Sequence, residues 1–177
     1  FSYPGILRSQ VAKTRGDLER ESFLGQLAQQ FGDATGRGDA LRSYLGERDP
    51  KSGKWKSKQP DPAPLQSAHE PHLRGAILVA AVFGAFVKVY NKRSADLYRI
   101  ATEGSGVLRP GEIHPDLVDR LSDEAQKVAE YMLQMCVRAL DYCPPAGVTF
   151  GDFLRGAITG DYDYYPDDRY GYRVALI

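Results

Sequence analysis

A chain of 177 residues whose 23 Lys and Arg offset 23 Asp and Glu has no net charge, so it offers no electrostatic case for nucleic acid or an anionic membrane surface as partner. With 42% hydrophobic and 26% charged residues it has the make-up of a globular domain large enough for one real core, not of a disordered chain. Two cysteines, Cys136 and Cys143, exclude a disulfide-stapled scaffold.

In chain order, residues 1–18 place Ile6, Leu7, Val11 and Ala12 on one side of a short helix that ends near Gly16. A second helix is predicted over residues 20–31, where Phe23, Leu24, Leu27, Ala28 and Phe31 recur at three- and four-residue intervals and Gly32 stops them. A weaker third covers Asp39–Leu45. Residues 46–68 hold Pro50, Pro60, Pro62, Pro64 and several lysines without a period, which predicts a long surface loop. A central helix follows, buried over about 72–91, because Gly75 to Val87 contains no charged or strongly polar side chain. That run is too short for a bilayer, which needs about 20 apolar residues.

A shorter helix is predicted over Ser94–Ala101 and turn material over 102–113. Pro115 opens the longest helix, to about Asp141, with Asp116 and Asp119 where the helix dipole favours carboxylates. Its apolar stripe reads Leu117, Leu121, Ala125, Val128, Ala129, Met132, Met135, Cys136, Ala139 and Leu140, and Pro144 and Pro145 stop it. Thr149 and Asp152 form a capping-box signal for a helix to about Thr159. The acidic, tyrosine-rich GDYDYYPDD reads as a turn, and a last helix begins near Asp168. No strand and no internal repeat is predicted. The fold class is all-α: an irregular bundle around the central helix, in a single domain over 1–177. The chain opens on Phe1 rather than Met and closes on Ile177 inside an apolar pattern, so a piece of a longer protein is expected. With no signal or membrane-spanning segment, and cysteines about 10 Å apart if they share a helix, free thiols in a reducing cytoplasm are expected.

Chemistry concentrates just before the central helix, in His69, Glu70 and His72. Histidines three apart could share a metal, with His114 as a further ligand, yet the peptidase motif H-E-x-x-H needs them four apart and Pro71 intervenes. His72 could instead be a packed residue of the first helical turn, or a catalytic histidine working with ligands supplied elsewhere. The lysine run KSGKWKSK around Trp55 reads as a solvated loop rather than a stacking platform for nucleic acid. The G-x-G in TGRGDA and TEGSGV follows no strand, so no phosphate loop is expected. Asp161, Asp163, Asp167 and Asp168 lack the ligand spacing of a calcium loop.

The segment HLRGAILVAAVF, from His72, resembles the H-I-N-S-G-I-I-N-K-A-A-Y segment of thermolysin-like zinc peptidases. The later VTFGDFLRGAITGDYDYYPDD and YGYRVALI are similar to that family's F-x-x-x-R-x-A-x-x-x-A helix, its polar turn and its terminal helix. The resemblance covers about residues 65–177 and extends to an uncharacterised bacterial group of gluzincin type. It implies that His72 donates a hydrogen bond to the oxyanion of a tetrahedral intermediate. It also implies that Glu70 supports His72, and that Arg74 lines the substrate cleft. The family's orienting aspartate falls here on Ser67, and this chain has no H-E-x-x-H. The implied zinc and its ligands would therefore belong to an N-terminal half outside this chain, with a peptide or protein as substrate. By itself the chain is expected to hold no metal and to be inactive. The other expectation from the same residues is a non-catalytic helical module that binds a protein partner.

Overall fold

The computed structural model describes residues 4–18, 46–48, 55–57, 63 and 71–177. Its helices are α1 (Pro4–Thr14), α2 (Pro71–Ala101), α3 (Pro115–Ala139), α4 (Phe150–Tyr164) and α5 (Tyr172–Leu176), with a 3-10 turn at Leu140–Tyr142 after α3. The all-α bundle expected from the periodicity is what is observed. The helices predicted over 20–31 and Asp39–Leu45 lie outside the described residues. A correction falls within the 46–68 stretch, where no strand was expected. Here β1 (Gly46–Arg48) pairs antiparallel with β2 (Trp55–Ser57), Glu47 opposite Lys56 and Arg48 opposite Trp55. Three-residue strands are too short to show a two-residue alternation, so sequence has no period to reveal them.

Prolines open α1, α2 and α3, where a missing N–H costs nothing. On α1, Leu7, Val11 and Thr14 are buried at three- and four-residue spacing, and Leu18 follows them into the core. Its end is a Schellman motif: the Gly16 N–H reaches back to the Val11 carbonyl at 2.8 Å and Arg15 to Ala12 at 3.2 Å. Both Arg15 (φ 57°) and Gly16 (φ 79°) are left-handed. Gly16 has no substitute, because a Cβ there would stand 2.1 Å from the Tyr98 hydroxyl and 2.7 Å from Leu121 Cδ1.

The sequence divides residues 72–101 into two helices, whereas α2 is continuous over 31 residues. Asn91, Lys92 and Arg93 interrupt the apolar pattern but not the backbone, and neither glycine nor proline occurs from Ala85 to Ala101. Buried Ser94 is accommodated because its hydroxyl donates to the Tyr90 carbonyl one turn back, at 2.8 Å. Phe83, Phe86 and Tyr90 stack along α2, with ring centroids 6.2 and 6.3 Å apart. The expectation that the whole apolar run is enclosed also needs correcting. Burial is concentrated from Ala80 to Ser94, while Val79 is 46% exposed and Ile77 and Leu78 are half-buried.

Helix α3, with 25 residues, is shorter than α2 and ends two residues before the predicted Asp141. His114 caps it, its Nδ1 accepting the Asp116 N–H at 3.2 Å. Val118, Leu121, Ala125, Val128, Met132, Met135 and Ala139 are the buried apolar row, and Leu140, placed on the stripe from sequence, is 63% exposed. Because α3 packs against α1, α2 and α4, it is the hub among the described residues, a place the sequence reading assigned to α2. Thr149 and Asp152 form the predicted capping box of α4. That helix runs on to Tyr164, five residues past the predicted end, so half of GDYDYYPDD is helical. Its approach to α3 is close at Gly156 and Gly160. A Cβ at Gly156 would lie 2.6 Å from the Ala139 carbonyl oxygen, and one at Gly160 2.9 Å from the Tyr142 ring. Asp168 is not in α5 but precedes it, accepting the backbone N–H of Tyr172 at 2.7 Å and of Arg173 at 3.0 Å.

Candidate functional site

His72 is the second residue of α2; Glu70 and the His72 side chain lie outside the described residues. Arg74 is exposed on the first turn of the same helix, and its guanidinium lies over the Phe150 ring, 5.7 Å from the centroid. Phe150 is the first residue of α4. One Arg–Phe contact therefore brings together the N-terminal turns of two helices, each the positive end of its peptide dipole. The Arg74 guanidinium and the N-terminus of α2 favour an anion at this place, while Asp152 puts a carboxylate in the first turn of α4. Sequence reasoning placed Arg74 here but missed Phe150, which is 76 residues away along the chain and carries no local signal of the pairing.

Two polar clusters elsewhere hold the frame. Asp161, 2% exposed, receives Arg173 Nη1 at 2.7 Å and the Tyr131 hydroxyl at 2.7 Å. Arg173 also donates to the carbonyls of Tyr165 and Pro166, at 2.7 and 2.8 Å, so it clamps the end of α4 to α5. Burial first, and then the hydrogen bond to charged Asp161, pushes the Tyr131 phenol far above its ordinary range. In the second cluster Arg93 donates to Glu124 at 2.7 Å and stacks on Tyr170 with 4.1 Å to the centroid, while Lys127 Nζ reaches Glu124 at 2.9 Å. Burial acts to raise the Glu124 carboxyl, but the bonds from Lys127 and Arg93 outweigh it and hold it below the usual value. These satisfied pairs position α2, α3 and α5 rather than offering a reactive group.

A separate cleft of about 520 Å³ opens where α1 ends. Thr14, Arg15, Gly16 and Asp17 meet Asn91 and Tyr98 of α2 and residues 106–108 of the following turn. The Tyr90 hydroxyl donates to the Gly16 carbonyl at 2.9 Å and that of Tyr98 to the Arg15 carbonyl at 3.3 Å. Burial raises both phenols. The sequence names Gly16 only as a helix stop and Gly106 and Val107 only within a rejected phosphate-loop motif, and gives none of the lining residues a binding role.

Among the described residues no three His, Cys, Asp or Glu side chains are grouped to hold a metal. His114, offered from sequence as a further metal ligand, caps α3 with its Nδ1. Cys136 and Cys143 are free and half-buried, and burial raises the Cys136 thiol. No described helix is long and apolar enough to cross a membrane. Set against protein-family models, curated proteins and solved structures, the chain matches none.

Proposed function

We propose that this chain is the C-terminal helical part of a thermolysin-like zinc peptidase. In this reading His72 donates to the oxyanion of the tetrahedral intermediate, Glu70 supports it, and Arg74 lines the cleft for a peptide or protein substrate. The zinc, its ligands and the general base are supplied by an N-terminal half outside this chain, all within a reducing cytoplasm. One observation carries the reading beyond the resemblance: helix α2 begins at Pro71. His72 and Arg74 thereby share the first turn of a helix whose later residues are anchored in the core, beside the first turn of α4. A donor held on a rigid helix and aimed at developing charge stabilises a transition state with little effect on ground-state binding.

The test is His72→Ala in the protein that includes the zinc half. Turnover is expected to fall about a hundredfold, with KM and melting temperature nearly unchanged. Unchanged turnover would remove His72 from the mechanism and the family reading with it.

A specific feature favours a second reading, a non-catalytic module that binds a protein. Leu133, Val137 and Leu140, spaced four and three residues apart on the outer side of α3 and the turn after it, are 62%, 57% and 63% exposed. Such a stripe is the usual face for a partner helix or groove. A longer parent that lacks H-E-x-x-H would favour this reading over the peptidase.

A further inference from the structure

The cleft at the end of α1 has no part in the reading above, and its lining holds a guanidinium with an unsatisfied donor. Its volume of about 520 Å³ falls within the range of small-molecule sites. Arg15 lies at its edge, held by the left-handed backbone of the Schellman motif, and its Nη2 donates to the Arg109 carbonyl. Among the described residues no carboxylate pairs with this guanidinium, and its buried Nε has no hydrogen-bond partner. A cation suits the negative end of the α1 dipole, which accounts for the charge of Arg15 but not for the bare Nε. Buried donors of this kind are normally satisfied, and the group that matches the Nε–Nη edge of a guanidinium is a carboxylate. Asp17 lines the same cleft but is already engaged, so it offers no open countercharge to a cationic ligand. One guanidinium balances one negative charge, and Asp17 with the end of α1 opposes a second, which favours a carboxylate over a phosphate. Tyr98, Leu108 and Val107, which is 74% exposed, add apolar surface to the lining.

We propose that this cleft binds a small monocarboxylate with an apolar tail. Its carboxylate takes the Nε–Nη2 edge of Arg15, displacing the Arg109 carbonyl from Nη2, and its tail lies on Tyr98, Val107 and Leu108. Tyr98 and Arg74 are about 36 Å apart along α2 at the rise of an α-helix, so this site is separate from the one above and independent of the peptidase reading.

Isothermal titration calorimetry on the full chain tests it, with hydrocinnamate as probe. Acetate serves as the carboxylate without the tail, phenethylamine as the tail with the opposite charge and inorganic phosphate as the multiply charged anion. Hydrocinnamate is expected to bind with Kd about 0.1–1 mM and each of the other three at least about tenfold more weakly. Arg15→Gln should weaken hydrocinnamate binding by at least about tenfold. Because Arg15 also ties α1 to the 102–114 turn, Val107→Asp serves as a second variant at an exposed position. It places a carboxylate against the apolar tail of the ligand and should weaken binding similarly while leaving the melting temperature unchanged. Absence of binding by hydrocinnamate up to about 10 mM would overturn the proposal. So would equal binding by acetate, phenethylamine or phosphate, or unchanged affinity in Val107→Asp.

Discussion

Among single residues, Asp161 has the most to lose. Its carboxylate is 2% exposed and depends on Arg173 for its countercharge and on Tyr131 for a further hydrogen bond. Removing one partner of a buried ion pair leaves an uncompensated charge, which costs more than the intact pair contributes. Arg173→Ala is therefore expected to destabilise the fold by about 3–5 kcal/mol. Tyr131→Phe keeps the ring, which stacks on Tyr172 with centroids 4.1 Å apart, and should cost only about 1.5–3 kcal/mol. Urea denaturation of both variants measures the difference, and equal losses would mean that Arg173 is not the principal support of Asp161.

At the scale of elements, the contact between α3 and α4 depends on two missing side chains. Alanine is a better helix former than glycine by about 1 kcal/mol, so propensity alone makes Gly156→Ala stabilising. The 2.6 Å approach to the Ala139 carbonyl reverses the sign, because backbone cannot move aside as a flexible side chain can. Gly156→Ala is expected to cost about 1–3 kcal/mol. Gly151→Ala, where the nearest atom beyond its neighbours is Thr149 Oγ1 at 3.7 Å, should be neutral or stabilising by up to about 1 kcal/mol. Thermal melts of the two variants should move in opposite directions; parallel shifts would show that α4 can tilt away from α3. The GxxxG spacing is plain in the sequence, yet nothing there says which helix it meets.

For the whole molecule, pH dependence follows from two sets of groups. The phenols of Tyr90, Tyr98, Tyr131 and Tyr172 are all raised, first of all by burial. Above the ordinary tyrosine value of 10.0 the unfolded chain loses these protons while the folded chain keeps them. Their contribution is thus fully present below about pH 10 and is lost as the pH rises further. Glu124 is lowered, its bonds from Lys127 and Arg93 outweighing the effect of burial, and Asp152 is lowered by its hydrogen bonds from Thr149. Their contribution is present above the unfolded carboxylate values of 4.5 and 3.8 and is lost as the pH falls through the lower folded values. Stability should be flat from about pH 5 to about pH 9 and fall on both sides. Thermal melts from about pH 3 to about pH 11, with phenolate absorbance followed in the folded state, test both limbs. Phenols that ionise in the folded protein near the ordinary tyrosine value would refute the alkaline limb.

Local signals determined a large part of this fold. Proline at a first turn, the Thr149–Asp152 capping box, the row from Leu121 to Met135 and the stop at Gly16 each act within a few residues, so the sequence by itself specified an all-α chain and most helix boundaries. Tertiary structure decided whatever depends on a partner distant in sequence. It allowed α2 to run unbroken through Asn91–Arg93, because Arg93 pairs with Glu124, and it let α4 extend to Tyr164, because Asp161 is buried against Arg173 and Tyr131. It set Phe150 beneath Arg74 and closed a cleft around Arg15 from three separate segments. Periodicity reports which face of a helix is apolar. Only packing decides what that face meets, and at a site it is the meeting that makes the chemistry.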